Sequence, residues 1–556
     1  MPEQIVQAET TFHTGGTVSA PVSRPVFNRR DFLRYSGAVS AAAAISATIS
    51  ACSGPASTSS AGAGGNKDLV TAVIGYGNNQ SWDPTMTASA FSMAANNHIY
   101  EGLVDTDPIS REPHPALATA LPADTAATTW RFTLRQGAKW HDGQPVTVDD
   151  VLFTFQRILD PAAKTLTYSF FGTWLKEVRK VDDTTVELVF NFPFPDALPR
   201  LTIAKIMPKH VFGAPGGWDA AKGGKAVGSG PYKLVAHNPT SNTVLEAFAD
   251  YNGPRKPTIK KMNWLSIVDA PARVAKISGG SAEAQIADNI PYANIDQLRN
   301  GGLTVEGGKG MNHMFLMFNT AQKPFDDVRV RQALLHAIDT DKMIDVALKG
   351  HGTPATSFLN EQNPSYARSK TVYSYDPAKA KALLADAGVA NLSVTLMAVN
   401  VSWITDCLPT IANSWEAVGI KTTLEPQDTA ALFTKMDQSQ SYQVVAAASN
   451  PNQFGLDADL ILRYNYTAGG TWMKYTRWDT SPQAKDLFAL MDRATRESDP
   501  TRKLDLLHQY LDVIAEQAVL YPVLHTELMT AWDPKRLTGV RPQAYPGITL
   551  LQAQRR

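Results

Sequence analysis

Trp130–Pro161 reads WRFTLRQGAKWHDGQPVTVDDVLFTFQRILDP. Trp130, Phe132 and Leu134 alternate with Arg131, Thr133 and Arg135, so a strand here carries one apolar and one polar face. Gln136-Gly137 and Asp142-Gly143 punctuate the chain as turns. Thr147, with Asp150 three residues on, is an approximate capping box that starts a helix. Val148, Leu152, Phe155 and Leu159 step by four, three and four, the spacing of one buried stripe. Asp160-Pro161 stops it. The stretch is strand, turn and helix, with no catalytic spacing inside. Trp140-His141-Asp142-Gly143 admits a His-Asp dyad or a metal corner. Adjacent ligands on a turn rarely face one ion and no second His or Cys lies nearby, so a packed turn is favoured.

The same residues closely resemble the signature of the extracellular solute-binding proteins (family 5) that serve ATP-driven importers of peptides and nickel. Further blocks repeat the resemblance in order: YEGLV at Tyr100–Val104, PHPALA at Pro113–Ala118, VGSGPY at Val227–Tyr232, the run from Phe318 to Asp339, and YDPAKAKALLADAG at Tyr375–Gly388. The resemblance spans most of residues 69–540. It implies an α/β, two-lobe periplasmic-binding-protein-like fold of type II, in its large peptide-binding class, with an extra subdomain and a hinge. It implies a carrier rather than an enzyme: a clamp that closes on a peptide or peptide-like solute and docks on a membrane permease powered by a separate ATPase.

The chain of 556 residues is too long for one simple core, so two or three domains are expected. Lys plus Arg equals Asp plus Glu, 52 each, and no basic excess asks for nucleic acid. Asn28-Arg29-Arg30-Asp31-Phe32-Leu33-Arg34 resembles a twin-arginine export signal, with Asn28 where Ser or Thr is usual. Gly37–Ala51 is a mild apolar run, shorter than the ~20 residues of a membrane span. Ile49-Ser50-Ala51-Cys52 resembles a lipobox, which implies cleavage before Cys52 and a diacylglycerol on its sulfur. Ser53–Asn66 is a Ser/Gly/Ala linker. Cys407 is the one other cysteine, so no internal disulfide framework exists. The expected organisation is a leader at 1–51, a linker at 52–67, a first lobe at 68–310 with a subdomain at about 105–225, a second lobe at 311–525, and a return to the first lobe at 526–556.

Leu69–Ile74 reads as the first strand and enters the turn Gly75-Tyr76-Gly77-Asn78-Asn79; a helix follows from Ala88. Val178–Val181 and Thr184–Phe190 flank Asp182-Asp183 as a hairpin. Met314–Asn319 is a strand, and Pro324–Gly350 a helical pair ended by Gly350. Asp376-Pro377 and Asp499-Pro500 each start a helix. Val519–Leu524 is a strand that Pro522 would confine to a sheet edge.

No HExxH, CxxC, Walker, GxSxG or dinucleotide pattern occurs. Ser229 sits between glycines, but Val227 and Pro231 stand where a nucleophile elbow needs its own glycines. No cofactor is expected. A binding cleft asks instead for apolar walls with a few orienting polar groups. Candidates for it are Tyr76 and Asn78, then Asn312 and His313, the latter favoured as a packed core histidine. Trp403 lies in a loop after a strand. Val444–Ala448 is a buried strand that opens into Asn450-Pro451-Asn452-Gln453-Phe454, the kind of strand end where α/β folds place ligands. Asn450, Phe454 and Trp472 join the set, the aromatics being equally readable as core. Asp457 and Asp459 are read as a solvated loop in preference to paired carboxylates, with Asp457 kept as a ligand candidate. In the family this chain resembles, peptide-binding members commonly carry an Asp at this strand end, which pairs with the peptide's ammonium. Asn450 stands there and offers only a dipole, which lowers the expectation of a simple dipeptide. A non-peptide solute, an oligosaccharide or metal chelate, and a secreted hydrolase are the alternatives. The expected carrier is a monomer.

Overall fold

The computed structural model describes residues 68–77, 81–86, 90–218, 225–279, 283–449, 455–468, 470 and 472–556, with the side chains of Ala90 and Lys309 left aside. The leader and linker, with Arg29, Arg30 and Cys52, lie outside these residues, as do Asn78, Asn450 and Phe454.

Strand Leu69–Ile74 forms with the bounds its apolar run predicts. It lies between Lys261–Ser266 and Ile286–Ala287, parallel to both. Val70, Ala72 and Ile74 enter one core cluster and Val73 enters another, so both of its faces are covered, as a parallel strand requires. A matching parallel set is formed by Lys421–Gln427, Ser393–Val399 and Val444–Ser449. The largest sheet, of 11 strands, contains both sets.

Two long strands join them: Thr304–Phe318 and Leu520–Trp532. Thr304 to Gly308 pair with Trp532 to Leu528, and Phe315 to Met317 pair with Pro522 to Leu520. Beyond this ladder, Phe318 to His313 pair with Val444 to Ser449 on one flank, and Ala531 and Trp532 pair with Ala287 and Ile286 on the other. The register slips between Gly308 and Asn312 and again between Met314 and Phe315. The divisions read at 310/311 and 525/526 therefore fall inside these two strands.

Pro522 does not mark an edge strand. Leu520–Trp532 is central and long, and Pro522 sits beside the second register slip, where a missing N–H removes least from the ladder. The strand expected at Met314 begins instead at Thr304, because Gly307 and Gly308 are paired with Met529 and Leu528.

The opening stretch builds a separate subdomain. Thr129–Thr133, Thr185–Phe190 and Leu175–Lys180 make an antiparallel three-stranded sheet. Trp130 and Phe132 are buried while Arg131 and Thr133 are exposed. Helix Val148–Leu159 begins where expected: the Thr147 N–H and hydroxyl both donate to the Asp150 carboxylate, at 2.8 and 2.9 Å. Its buried face is not the expected stripe. Val148, Val151, Phe155 and Ile158 are buried, and Leu152 and Leu159 only half so. Residues 207–209 turn the helix: the Lys209 N–H donates to Asp150 at 2.8 Å and the Met207 N–H to the Thr154 hydroxyl at 2.9 Å. Asp150→Ala leaves four donors (the Thr147 amide and hydroxyl, the Lys209 amide and the Trp140 indole) without their acceptor. We expect it to cost about 3 kcal/mol, read as a lowered urea midpoint.

His141 belongs to a packed turn. The Gly228 N–H donates to its Nδ1 at 3.2 Å and its Nε2 donates to the Gly230 carbonyl at 3.0 Å. Gly228 is required by close approach: a Cβ there would lie 1.9 Å from the Ile99 carbonyl oxygen. The end of the chain returns to the first strand. Leu537, Ile548, Leu550 and Ala553 share a cluster with Val70 and Ala72, and the Leu550 N–H donates to His98 Nε2 at 3.2 Å. Among the described residues no helix is long and apolar enough to cross a membrane.

Candidate functional site

The carboxyl ends of both parallel sets carry the loops that define the site. Leu69–Ile74 leads into Gly75-Tyr76, and Lys261–Ser266 leads to helix Ala270–Ser278, capped by Asp269, which accepts from the Ala272 N–H at 2.8 Å. Ile286–Ala287 leads to Pro291 and helix Ile295–Asn300. From the other set, Ser393–Val399 leads to the short helix Ser402–Thr405. A cavity of about 480 Å³ lies between these loops, within the usual size of a small-molecule site and at the sheet position where α/β folds bind ligands. Ala270, Pro271, Val274 and Ala275 give it a small apolar wall. Asn294 and Gln297 supply amides, and Ser402 and Asp406 face it from the second set.

Tyr76 is half-buried at the first strand's end, and its carbonyl accepts from the Ser266 hydroxyl at 2.6 Å. Burial, reinforced by Asp288, raises its phenol and keeps it protonated. Asp288 pins the turn: its carboxylate accepts from the N–H of Gly75 at 2.6 Å and of Gly547 at 2.9 Å. Burial pushes Asp288 up to about 6, against the pull of those amides and of Arg273.

The remaining candidates fall in the core. His313 is fully buried, its ring 4.9 Å from Phe358 and 5.6 Å from His525, with Nδ1 3.0 Å from the Met311 carbonyl. Burial, then His525, lowers it to about 3. The neighbouring Asn312 is buried opposite Thr526. Trp403 is buried in helix Ser402–Thr405, its carbonyl accepting from the Cys407 thiol at 3.2 Å. Trp472 packs edge-on to Phe315, at 5.0 Å. The structure brings none of these four to the cavity wall.

Asp457 and Asp459 are not a solvated loop; both are buried. Asp457 caps helix Ala458–Tyr466, accepting from the Leu460 N–H at 3.0 Å, and pairs with Arg200 Nε at 2.7 Å. Asp459 pairs with Arg200 at 2.5 Å and with Arg463 at 3.0 Å. Burial alone would raise Asp459, but Arg463 and Arg200 outweigh it and hold it at about 2. Arg200 comes from the subdomain helix Ala197–Leu201, distant in sequence, so no local pattern announced the pairing. Asp457 is thus engaged with an internal cation.

Sequence reasoning missed Asn294, Gln297 and Asp406. The available signal was positional: each follows a parallel strand at its carboxyl end. Among the described residues no group of three or more His, Cys, Asp or Glu is placed to hold a metal.

Comparison with known proteins agrees with this architecture. The glutathione-binding protein GsiB of Escherichia coli K12 is 28% identical over 492 residues, covering 85% of this chain and 91% of its own length. The crystal structure of a dipeptide binding protein from Pseudoalteromonas sp. SM9913, in complex with Met-Leu, superposes with a TM-score of 0.77 at 21% identity, over 88% of this chain and 100% of its own. NikZ from Campylobacter jejuni, in complex with Ni(L-His), gives 0.78 at 17% identity, over 88% and 99%. These two likenesses show the two-lobe type II fold. A twin-arginine translocation signal model matches residues 26–46, which include Arg29 and Arg30, and marks the protein as exported. The model of bacterial extracellular solute-binding proteins, family 5 (middle region), matches residues 112–471; with more than half of its length so matched, the chain belongs to that family.

Proposed function

We propose that this protein captures a peptide or peptide-like solute between its two lobes and hands it, unchanged, to an ABC permease. The observation that carries the reading is the cavity between the carboxyl ends of two parallel strand sets, walled from both. The two sets share Thr304–Phe318 and Leu520–Trp532, whose paired register slips make them the natural hinge. Solute that touches both walls stabilises the closed form in proportion to those contacts. The likeness to a glutathione-binding protein supports a small peptide-like ligand. Diacylglycerol on Cys52, with a further acyl chain, would hold the protein on the outer face of the cell membrane. It acts there as a monomer.

Purified mature protein is expected to bind short peptides by calorimetry, to become more compact in solution scattering when it does, and to release the same mass it took up. Conversion of a bound peptide to a product, or no compaction with any bound peptide, overturns the reading.

A further inference from the structure

Among the described residues that line it, the cavity has one formal charge on its wall, that of Asp406. Asp406 follows helix Ser402–Thr405, its N–H held by the Ser402 carbonyl at 2.9 Å. Its carboxylate has no ion pair or hydrogen bond among the described residues. The cations of the facing wall are spent elsewhere. Arg273 turns inward and donates to the carbonyls of Ile267 at 2.8 Å and Asn289 at 2.6 Å, and Lys276 pairs with Glu283. Beside the charge stands a neutral recognition pair. Asn294 Nδ2 donates to Gln297 Oε1 at 2.9 Å, which leaves Asn294 Oδ1 as an acceptor and Gln297 Nε2 as a donor. One acceptor and one donor match one peptide group.

We propose that Asp406 is a specificity residue: it pairs with a cationic group of the solute, an alkylammonium or guanidinium, while Asn294 and Gln297 hold the adjoining amide. This subsite lies after strand Ser393–Val399, apart from the strand end after Ser449 that Asn450 follows. It supplies the full countercharge that Asn450 lacks. Asp406 is exposed on the cavity wall, so a cationic solute gains a charge-assisted contact there that a neutral one does not. The proposal rests on the peptide-capture reading.

The test uses the mature wild-type protein, Asp406→Asn and Asp406→Glu against three pools of synthetic tripeptides. The first has a free amino terminus and neutral side chains. The second is N-acetylated with one lysine. The third is N-acetylated with neutral side chains only. Wild type is expected to bind at least one cationic pool about tenfold or more tighter than the neutral pool. Asp406→Asn should erase that preference and Asp406→Glu should keep most of it. Preference for the first pool assigns the amino terminus to Asp406; preference for the second assigns a side chain. Peptide binding by wild type without a charge preference, or a preference that survives Asp406→Asn, overturns the proposal and leaves peptide capture standing. Binding of none of the three pools removes the peptide reading, and this proposal with it.

Discussion

Replacing Arg200 with methionine is expected to lower folding stability by about 3–5 kcal/mol. The guanidinium is buried between Asp457 and Asp459, at 2.7 and 2.5 Å. Methionine fills a comparable space but leaves Asp457 as a buried carboxylate without a cation, because Arg463 pairs with Asp459 and not with Asp457. The cost is therefore mostly that of stranding an anion. Adding Asp457→Asn to Arg200→Met should recover part of it, so the double variant is more stable than the sum of the two single losses. Urea unfolding of the four proteins in this cycle checks the claim; strict additivity would show that the pair is not coupled. The effect should reach the second lobe, because Leu460 on the helix capped by Asp457 lies in the subdomain's core cluster.

Acid is expected to weaken the fold well above the pH at which carboxylates titrate. Burial lowers His98, His141 and His525 to about 4 and His313 to about 3. The unfolded chain protonates each near 6.5, so below that pH it binds more protons than the native state and stability falls. The loss begins as pH drops through 6.5 and levels off as each native histidine titrates. Asp288, raised to about 6 by burial, works the other way, since its native form takes up a proton first. Glu101 and Asp457, also raised by burial, act in the same sense as Asp288. Each group contributes up to about 1.4 kcal/mol per pH unit, so the net slope between pH 6 and pH 4 lies between about 1 and 4 kcal/mol per pH unit. His313→Gln, neutral at every pH, should reduce that slope by about 1.4 kcal/mol per unit. An unchanged slope in this variant would remove His313 from the account.

Local patterning carried the elements well. The strand at Leu69–Ile74 and the Asp-Pro starts at Asp376 and Asp499 were legible because each depends on neighbours in the chain: an apolar run, or a cap and a proline in register. The face of helix Val148–Leu159 was less legible. Val151-Leu152 and Ile158-Leu159 offer two overlapping apolar stripes, and the choice between them is made by Met207 and Lys209, which no window on the helix contains. Pro522 misled for the same reason: whether its missing N–H matters depends on the register slip at the neighbouring Val523, which the pairing with Met314 and Phe315 sets. The site was the least legible part. Trp403 and Trp472 have the composition of a binding wall yet pack inward, while Asp406 belongs to no motif and gains its meaning only from the cavity that the facing set of strands completes.

The path of the chain end has a consequence for the order of events in the cell. Leu537, Ile548, Leu550 and Ala553 complete the cluster around Val70 and Ala72, so the ribosome delivers what covers the first strand long after the strand itself. The segment with Arg29 and Arg30 emerges well before it. Export in the folded state therefore has to wait until residues 537–553 have docked against the first strand.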